Sequence, residues 1–248
     1  MRVGRVFFVL AFALVPAVWV PTFFVPRGAT RSAPQPSPEA EPTPAPAAVS
    51  EEADVFADSA GIGLEAPAAE IRAIAYHEAS RAGAFALRPY GRCGRCRHPR
   101  FEPPADDGSG RIYHVMPSRG RRSAPTSAVD VVVDPEERVL APVSGRVREV
   151  RVYRLYGRYR DIRVAIVPDG APRLEVVLLH LRGVRLERGD RVVASETPLG
   201  RARGLPFSSQ VDRYVRGKPP HVHIEVVDAQ TRREERKNER RAGRDGPG

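Results

Sequence analysis

The sequence predicts a mainly β protein, a small barrel or sandwich, on three observations. Between Ser123 and Asp228 the chain runs SAVDVVVD, RVLAPVSGRVREVRVY, DIRVAIVP, RLEVVLLHL and HVHIEVVD, short stretches rich in Val, Ile and Leu. The segments between them, PDGAP, ERGD and SETPLG, carry the glycine and proline of tight turns. In the last run Val222, Ile224 and Val226 alternate with His221, His223 and Glu225, the period of a strand that buries one face. Strands this short and frequent, without helical intervals, indicate an antiparallel barrel or sandwich.

Taken in order, the 248 residues divide into six stretches. Residues 1–5 hold Arg2 and Arg5 and read as a cytoplasmic stub. Residues 6–25 carry no charge, and at 1.5 Å per residue a helix of that length spans about 30 Å, the thickness of a bilayer core. This run is read as a transmembrane anchor, with a cleaved signal segment as the alternative; no A-x-A site follows Val25 closely. Residues 26–54 place proline at 34, 36, 38, 42, 44 and 46 and read as an extended, Pro/Ala-rich spacer. The bulk of the chain is then expected outside the cytoplasm, in the periplasm or on the wall side, or secreted if the segment is cleaved.

Residues 55–122 are the least regular. APAAEIRAIAYHEASRAGAFAL has Ile71, Ile74 and Ala75 on one helical stripe and predicts a short helix. Its YHEAS segment invites comparison with the HExxH zinc helix, but the second histidine would fall at Arg81, so that reading fails. From 88 to 122 nine arginines stand against Glu102, Asp106 and Asp107. The same segment holds both cysteines, in CGRCRH. Haem attachment needs CxxCH and is interrupted by Arg97. A zinc site would use Cys93, Cys96 and His98, with His114 as a fourth ligand. A Cys93–Cys96 disulfide suits an exported chain. Residues 123–228 form the β domain, and 229–248 read as a charged, disordered tail. The formal net charge of +10, almost all from arginine, suits a polyanionic neighbour such as wall polymer or lipid head groups. The expected anchor argues against nucleic acid as the partner.

Four chemistry-bearing residues follow one another through the β domain: Asp130 in TSAVDVVVD, His180 in VVLLHLRG, and His221 and His223 in GKPPHVHIEV. Together with the RGDRV turn, this order resembles the lysostaphin/LytM family of zinc endopeptidases, which cut peptide bridges in peptidoglycan. The family pattern is H-x-x-x-D, an apolar strand ending in His-Leu, a G-D-x-V turn, and P-H-x-H before an apolar-acidic strand. Apart from the opening histidine, all of it occurs here, over about Ser123 to Asp228.

The resemblance implies a LytM-like β domain with Asp130 and His223 as zinc ligands and His180 and His221 as the catalytic pair. The first ligand of the pattern falls at residue 126, which is Thr126, a poor zinc donor beside imidazole. Read this way, the site is degenerate, and the expected role is to bind peptidoglycan or regulate a cell-wall hydrolase. The alternative is an active zinc endopeptidase that takes its missing ligand from elsewhere. VLAPVSGRV with RGDRVVASETPLG also suits a barrel-sandwich adaptor of an envelope complex. A lipoyl-type carrier is excluded, because Lys218, the one lysine in the β region, does not sit at the tip of a central hairpin.

Overall fold

The computed structural model describes residues 54–80 and 83–231. The expected stub, apolar run and Pro-rich spacer, and almost all of the charged tail, lie outside the described residues. Among the described residues fifteen strands follow one another: β1 (Val55–Ser59), β2 (Ile62–Glu65), β3 (Ile71–His77), β4 (Arg88–Pro89), β5 (Arg92–Cys96), β6 (Ile112–Val115), β7 (Ala128–Val133) and β8 (Arg138–Leu140) come first. They continue as β9 (Gly145–Leu155), β10 (Tyr159–Pro168), β11 (Leu174–Leu179), β12 (Leu181–Arg182), β13 (Arg191–Val192), β14 (Pro198–Ala202) and β15 (His221–Asp228). A 3-10 turn, Gln210–Arg213, precedes β15. The fold is mainly β, as the turn-punctuated Val-rich runs predict.

The strands pair into one nine-stranded sheet, in the order β13-β9-β10-β11-β15-β7-β3-β6-β5, and two three-stranded sheets, β2-β1-β4 and β12-β14-β8. Three strands of the large sheet, β3, β6 and β5, come from residues 55–122. That stretch and residues 123–228, distinct in composition, therefore share one sheet.

The helix expected around Ile71, Ile74 and Ala75 is corrected to strand β3. Ile74 and Tyr76 enter the main core with Val129, Val131 and Val133 of β7, while Ala73 and Ala75 pack on the opposite face. The side chains thus follow a period of two, and pairing with β7 and β6 overrides the local helical stripe.

In β15, Val222, Ile224 and Val226 are fully buried in the same core. Each such side chain contributes about 1.5–3 kcal/mol on burial. A slip of one residue would trade those three for His221, His223 and Glu225, so core burial fixes the register that presents the histidines.

Candidate metal centre

Three adjacent strands build the site. Asp130 of β7 lies directly opposite His223 of β15 and Ala75 of β3, and His77 lies two residues beyond Ala75 on the same face. The ligand atoms of His77, Asp130 and His223 all fall within 4.8 Å of one another, and all three residues are buried. His77 Nε2 is 3.2 Å and His223 Nδ1 2.9 Å from Asp130 Oδ1. Tetrahedral zinc with bonds of about 2.1 Å separates its donors by roughly 3.4 Å. The set therefore has the right chemistry, two imidazoles and a carboxylate, at the right spacing.

The second hydrogen bond of each imidazole settles which nitrogen faces the centre. His77 Nδ1–H donates to the Glu78 carbonyl at 2.9 Å, which makes Nε2 the nitrogen that faces Asp130. His223 directs Nε2 at Glu225 Oε1, 2.9 Å away, and Nδ1 at Asp130. Ligand histidines commonly donate their outer N–H to a carbonyl or carboxylate in this way. Burial pushes the Asp130 carboxyl up, but the charges of His77 and His221 and the hydrogen bonds of His223 and His77 hold it well below the usual carboxylate range. Burial opposes protonation of His223, yet its bonds to Asp130 and Glu225 raise it to about 9. Burial lowers His221 to about 4, against the pull of Asp130. Two residues apart on one strand, the imidazoles are driven in opposite directions.

His180 stands at the end of β11 with φ of 65°, a left-handed conformation unusual for a non-glycine residue. That turn carries its ring out of the strand alternation, to 5.3 Å from the His221 ring and 5.9 Å from the His223 ring. Its Nδ1–H donates to Asp161 Oδ2 at 2.7 Å. Asp161, on β10, also accepts the Tyr153 hydroxyl at 2.7 Å and lies 3.3 Å from Arg203 Nε. Burial raises the Asp161 carboxyl, but His180, Tyr153 and Arg203 outweigh it and hold the group low. An ionised Asp161 fixes the His180 tautomer and leaves Nε2 free to exchange a proton, the arrangement that suits a general base.

Asp130, His180, His221 and His223 line one cavity of about 270 Å³, together with His77. The structure does not use residue 126 in the set. Strand β7 starts at Ala128, residues 124–127 form a turn closed by Ser127 N–H to the Ala124 carbonyl, and the Thr126 carbonyl accepts the Leu87 N–H. Alternation back from Asp130 therefore stops short of Thr126, and His77 from the neighbouring strand stands where a third ligand is needed. His114 stacks on Tyr214 with ring centroids 4.9 Å apart and takes no part.

Behind His77 lies a carboxylate that the sequence reading did not single out. The Glu78 side chain is fully buried and accepts from His98 Nε2 at 3.0 Å, Arg100 Nη2 at 2.8 Å and Ser118 Oγ at 2.9 Å. Its other oxygen takes the main-chain N–H groups of Arg119 at 2.8 Å and Arg121 at 3.0 Å. Cys93 and Cys96 form a disulfide within β5, and His98 is engaged by Glu78, so the CGRCRH segment is a clasp for the His77 strand end rather than a second metal site.

His77, Glu78, Asp161 and Glu225 are the candidate site residues that sequence reasoning did not assign; His77 and Glu78 stand in the YHEAS segment, which was set aside when the HExxH comparison failed at Arg81. Glu225 was visible as the next member of the His221/His223 alternation. The alternation of Ala73, Ala75 and His77 would have revealed β3. Nothing in DIRVAIVP marks Asp161 as the partner of a histidine on another strand.

No protein-family model and no curated protein sequence matches the chain. Among solved structures it is similar to lysostaphin, at 20% identity over 42% of this chain and 36% of lysostaphin, with a TM-score of 0.32. A zinc-containing peptidase from Vibrio cholerae matches at 19% identity over 43% of this chain and 28% of that one, with a TM-score of 0.29. A variant of the catalytic domain of the prophage-encoded M23 protein EnpA from Enterococcus faecalis matches at 16% identity over 62% of this chain and 82% of that one, with a TM-score of 0.30.

Proposed function

We propose that this chain is a zinc-dependent endopeptidase that hydrolyses peptide cross-links of peptidoglycan. The observation that carries the reading is the three-donor set of His77, Asp130 and His223 with a carboxylate-oriented histidine, His180, beside it. A zinc ion held there supplies Lewis acidity and lowers the pKa of water. His180, its tautomer fixed by Asp161, takes a proton at Nε2. His221, neutral and buried next to it, donates to or accepts from charge developing on the substrate. Glu225 and the Glu78 carbonyl hold the two ligand imidazoles in orientation.

His77 removes the reason for reading the site as degenerate, and so favours catalysis over a binding or regulatory role. Peptidoglycan as the substrate is supported by the ordered Asp130, HL, GD-turn and PHVH motifs of the sequence. The apolar run of residues 6–25, read with the Cys93–Cys96 disulfide, supports a membrane-tethered or secreted protein outside the cytoplasm.

Two measurements test this. Elemental mass spectrometry on the purified protein is expected to find one zinc per chain. The metal should be lost in His77→Ala and His223→Ala and kept in Thr126→Ala and Cys93→Ser/Cys96→Ser. Release of new amino termini from purified peptidoglycan should require the zinc and His180. A zinc-free protein that still binds peptidoglycan would return the site to the binding role.

A further inference from the structure

A second cavity, of about 310 Å³, opens beside the metal centre and shares Arg119, Tyr156, Phe207 and Ser209 with the main groove. Its remaining walls include Ser208 and Arg213. No acidic residue lines it. The acids of the main groove, Asp130 and Glu225, are committed to the histidines, and the buried Arg163 is paired with Glu149 and Glu175. Arg119 and Arg213 form no ion pair with a carboxylate among the described residues. Asp212, the nearest acid on the 3-10 turn, accepts the Ser209 N–H at 2.8 Å.

Arg119 is exposed to solvent, yet its position is pinned at both ends. Its main-chain N–H is anchored on the buried Glu78, and its Nε donates to Gln210 Oε1 at 2.6 Å. The two Nη groups make no hydrogen bond among the described residues, so the outer edge of a planar fork is left for a ligand. Lys218 Nζ donates to Ser208 Oγ at 2.7 Å and adds a third positive charge at the rim. Arg119 lines the main groove together with Asp130, His180 and His221 as well as the second cavity, so it stands at the junction of the two. The aromatic wall comes from Tyr156 and Phe207, ring centroids 5.4 Å apart.

We propose that Arg119 and Arg213 form a carboxylate-binding subsite that selects peptides with an acidic side chain next to the bond to be cut. The inference rests on the peptidase reading, because it takes the peptide to lie along the groove that joins the two cavities. A planar carboxylate takes two parallel N–H bonds from a guanidinium, and such charge-assisted pairs are about twice as strong as neutral ones.

The test is binding, followed by fluorescence anisotropy, of two labelled tetrapeptides with blocked termini, Ala-Glu-Lys-Ala and Ala-Gln-Lys-Ala. Both are titrated into the full protein in its His180→Ala form, so that neither is consumed. The glutamyl peptide is expected to bind about tenfold to a hundredfold more tightly. Arg119→Gln and Arg213→Gln should each remove most of that preference, with melting temperature and zinc content unchanged. Arg213 is exposed on a short turn, so its variant keeps the test decisive if Arg119→Gln disturbs the Glu78 anchor. Equal binding of the two peptides, or a preference that survives both substitutions, overturns the subsite. Zinc stoichiometry on the same samples judges the peptidase reading separately: one zinc without a preference sinks only the subsite.

Discussion

Replacing Glu78 by alanine should damage both stability and metal binding, through different bonds of one residue. The fully buried side chain receives five donors from two segments, His98 to Arg100 and Ser118 to Arg121. Removing it leaves the His98 N–H and two main-chain N–H groups without an acceptor and Arg100 without its ion pair. Breaking a buried charged network of this kind costs about 3–5 kcal/mol. For a domain of this size each kcal/mol lowers the melting temperature by about 2–4 °C, so a fall of about 10 °C is expected. The Glu78 carbonyl, which orients His77, survives the substitution but loses the packing that fixes it, and zinc affinity should drop about tenfold to a hundredfold.

The acid limb supplies an internal control. Burial raises the Glu78 carboxyl, but its donors, led by His98, hold it well below the ordinary glutamate range. Its stabilisation is thus present above the unfolded-state value and is lost as pH falls toward the folded one. The variant should therefore lose less stability than the parent on going below about pH 4.5. Thermal melts in chelator across pH 3 to 7, with a competitive zinc titration at neutral pH, measure both effects. A variant that melts within about 1 °C of the parent and binds zinc equally well would refute the clasp.

Two further outcomes follow from the histidine partners. Asp161→Asn should lower kcat by about a hundredfold to ten-thousandfold, with KM and zinc content little changed, because His180 loses the carboxylate that fixes its tautomer; full rates in this variant would show that Asp161 serves packing alone. In metal-free protein His223 is raised to about 9, so its ion pairing stabilises the fold fully below the unfolded-state value and is lost as pH rises through 9. Zinc must displace that proton, and affinity measured by competition should climb about tenfold per pH unit up to about pH 9; a flat profile between pH 6 and 8 would contradict the assignment.

The architecture was legible where one strand face is strongly apolar. Val222, Ile224 and Val226 announce β15, and the mainly β class follows from such runs and their turns. Asp130, His180, His221 and His223 carry the family pattern in order, and the structure gathers them around one cavity. The third donor was not legible. Alanines at 73 and 75 make the outer face of β3 only weakly distinct, so the helical stripe through Ile71, Ile74 and Ala75 competes with the true period. Thr126 was placed by extending an alternation through residues that form a turn, and local sequence does not show where a strand begins. Asp161 meets His180 only because β10, β11 and β15 are neighbours in the sheet, an order set by long-range packing.

The order of strands also sets when the metal can arrive. A chain emerging from its amino end presents His77 first, gains Asp130 after more than fifty residues, and completes the set with His223 only when β15 slots between β11 and β7. Closing such long loops is entropically costly and slow, and no partial pairing brings all three donors together. On the proposed reading, metal uptake waits until β15 is paired with both of its neighbours. Zinc bound by these donors would seal the finished fold, and a chain still threading its way to completion would have no grip on the ion.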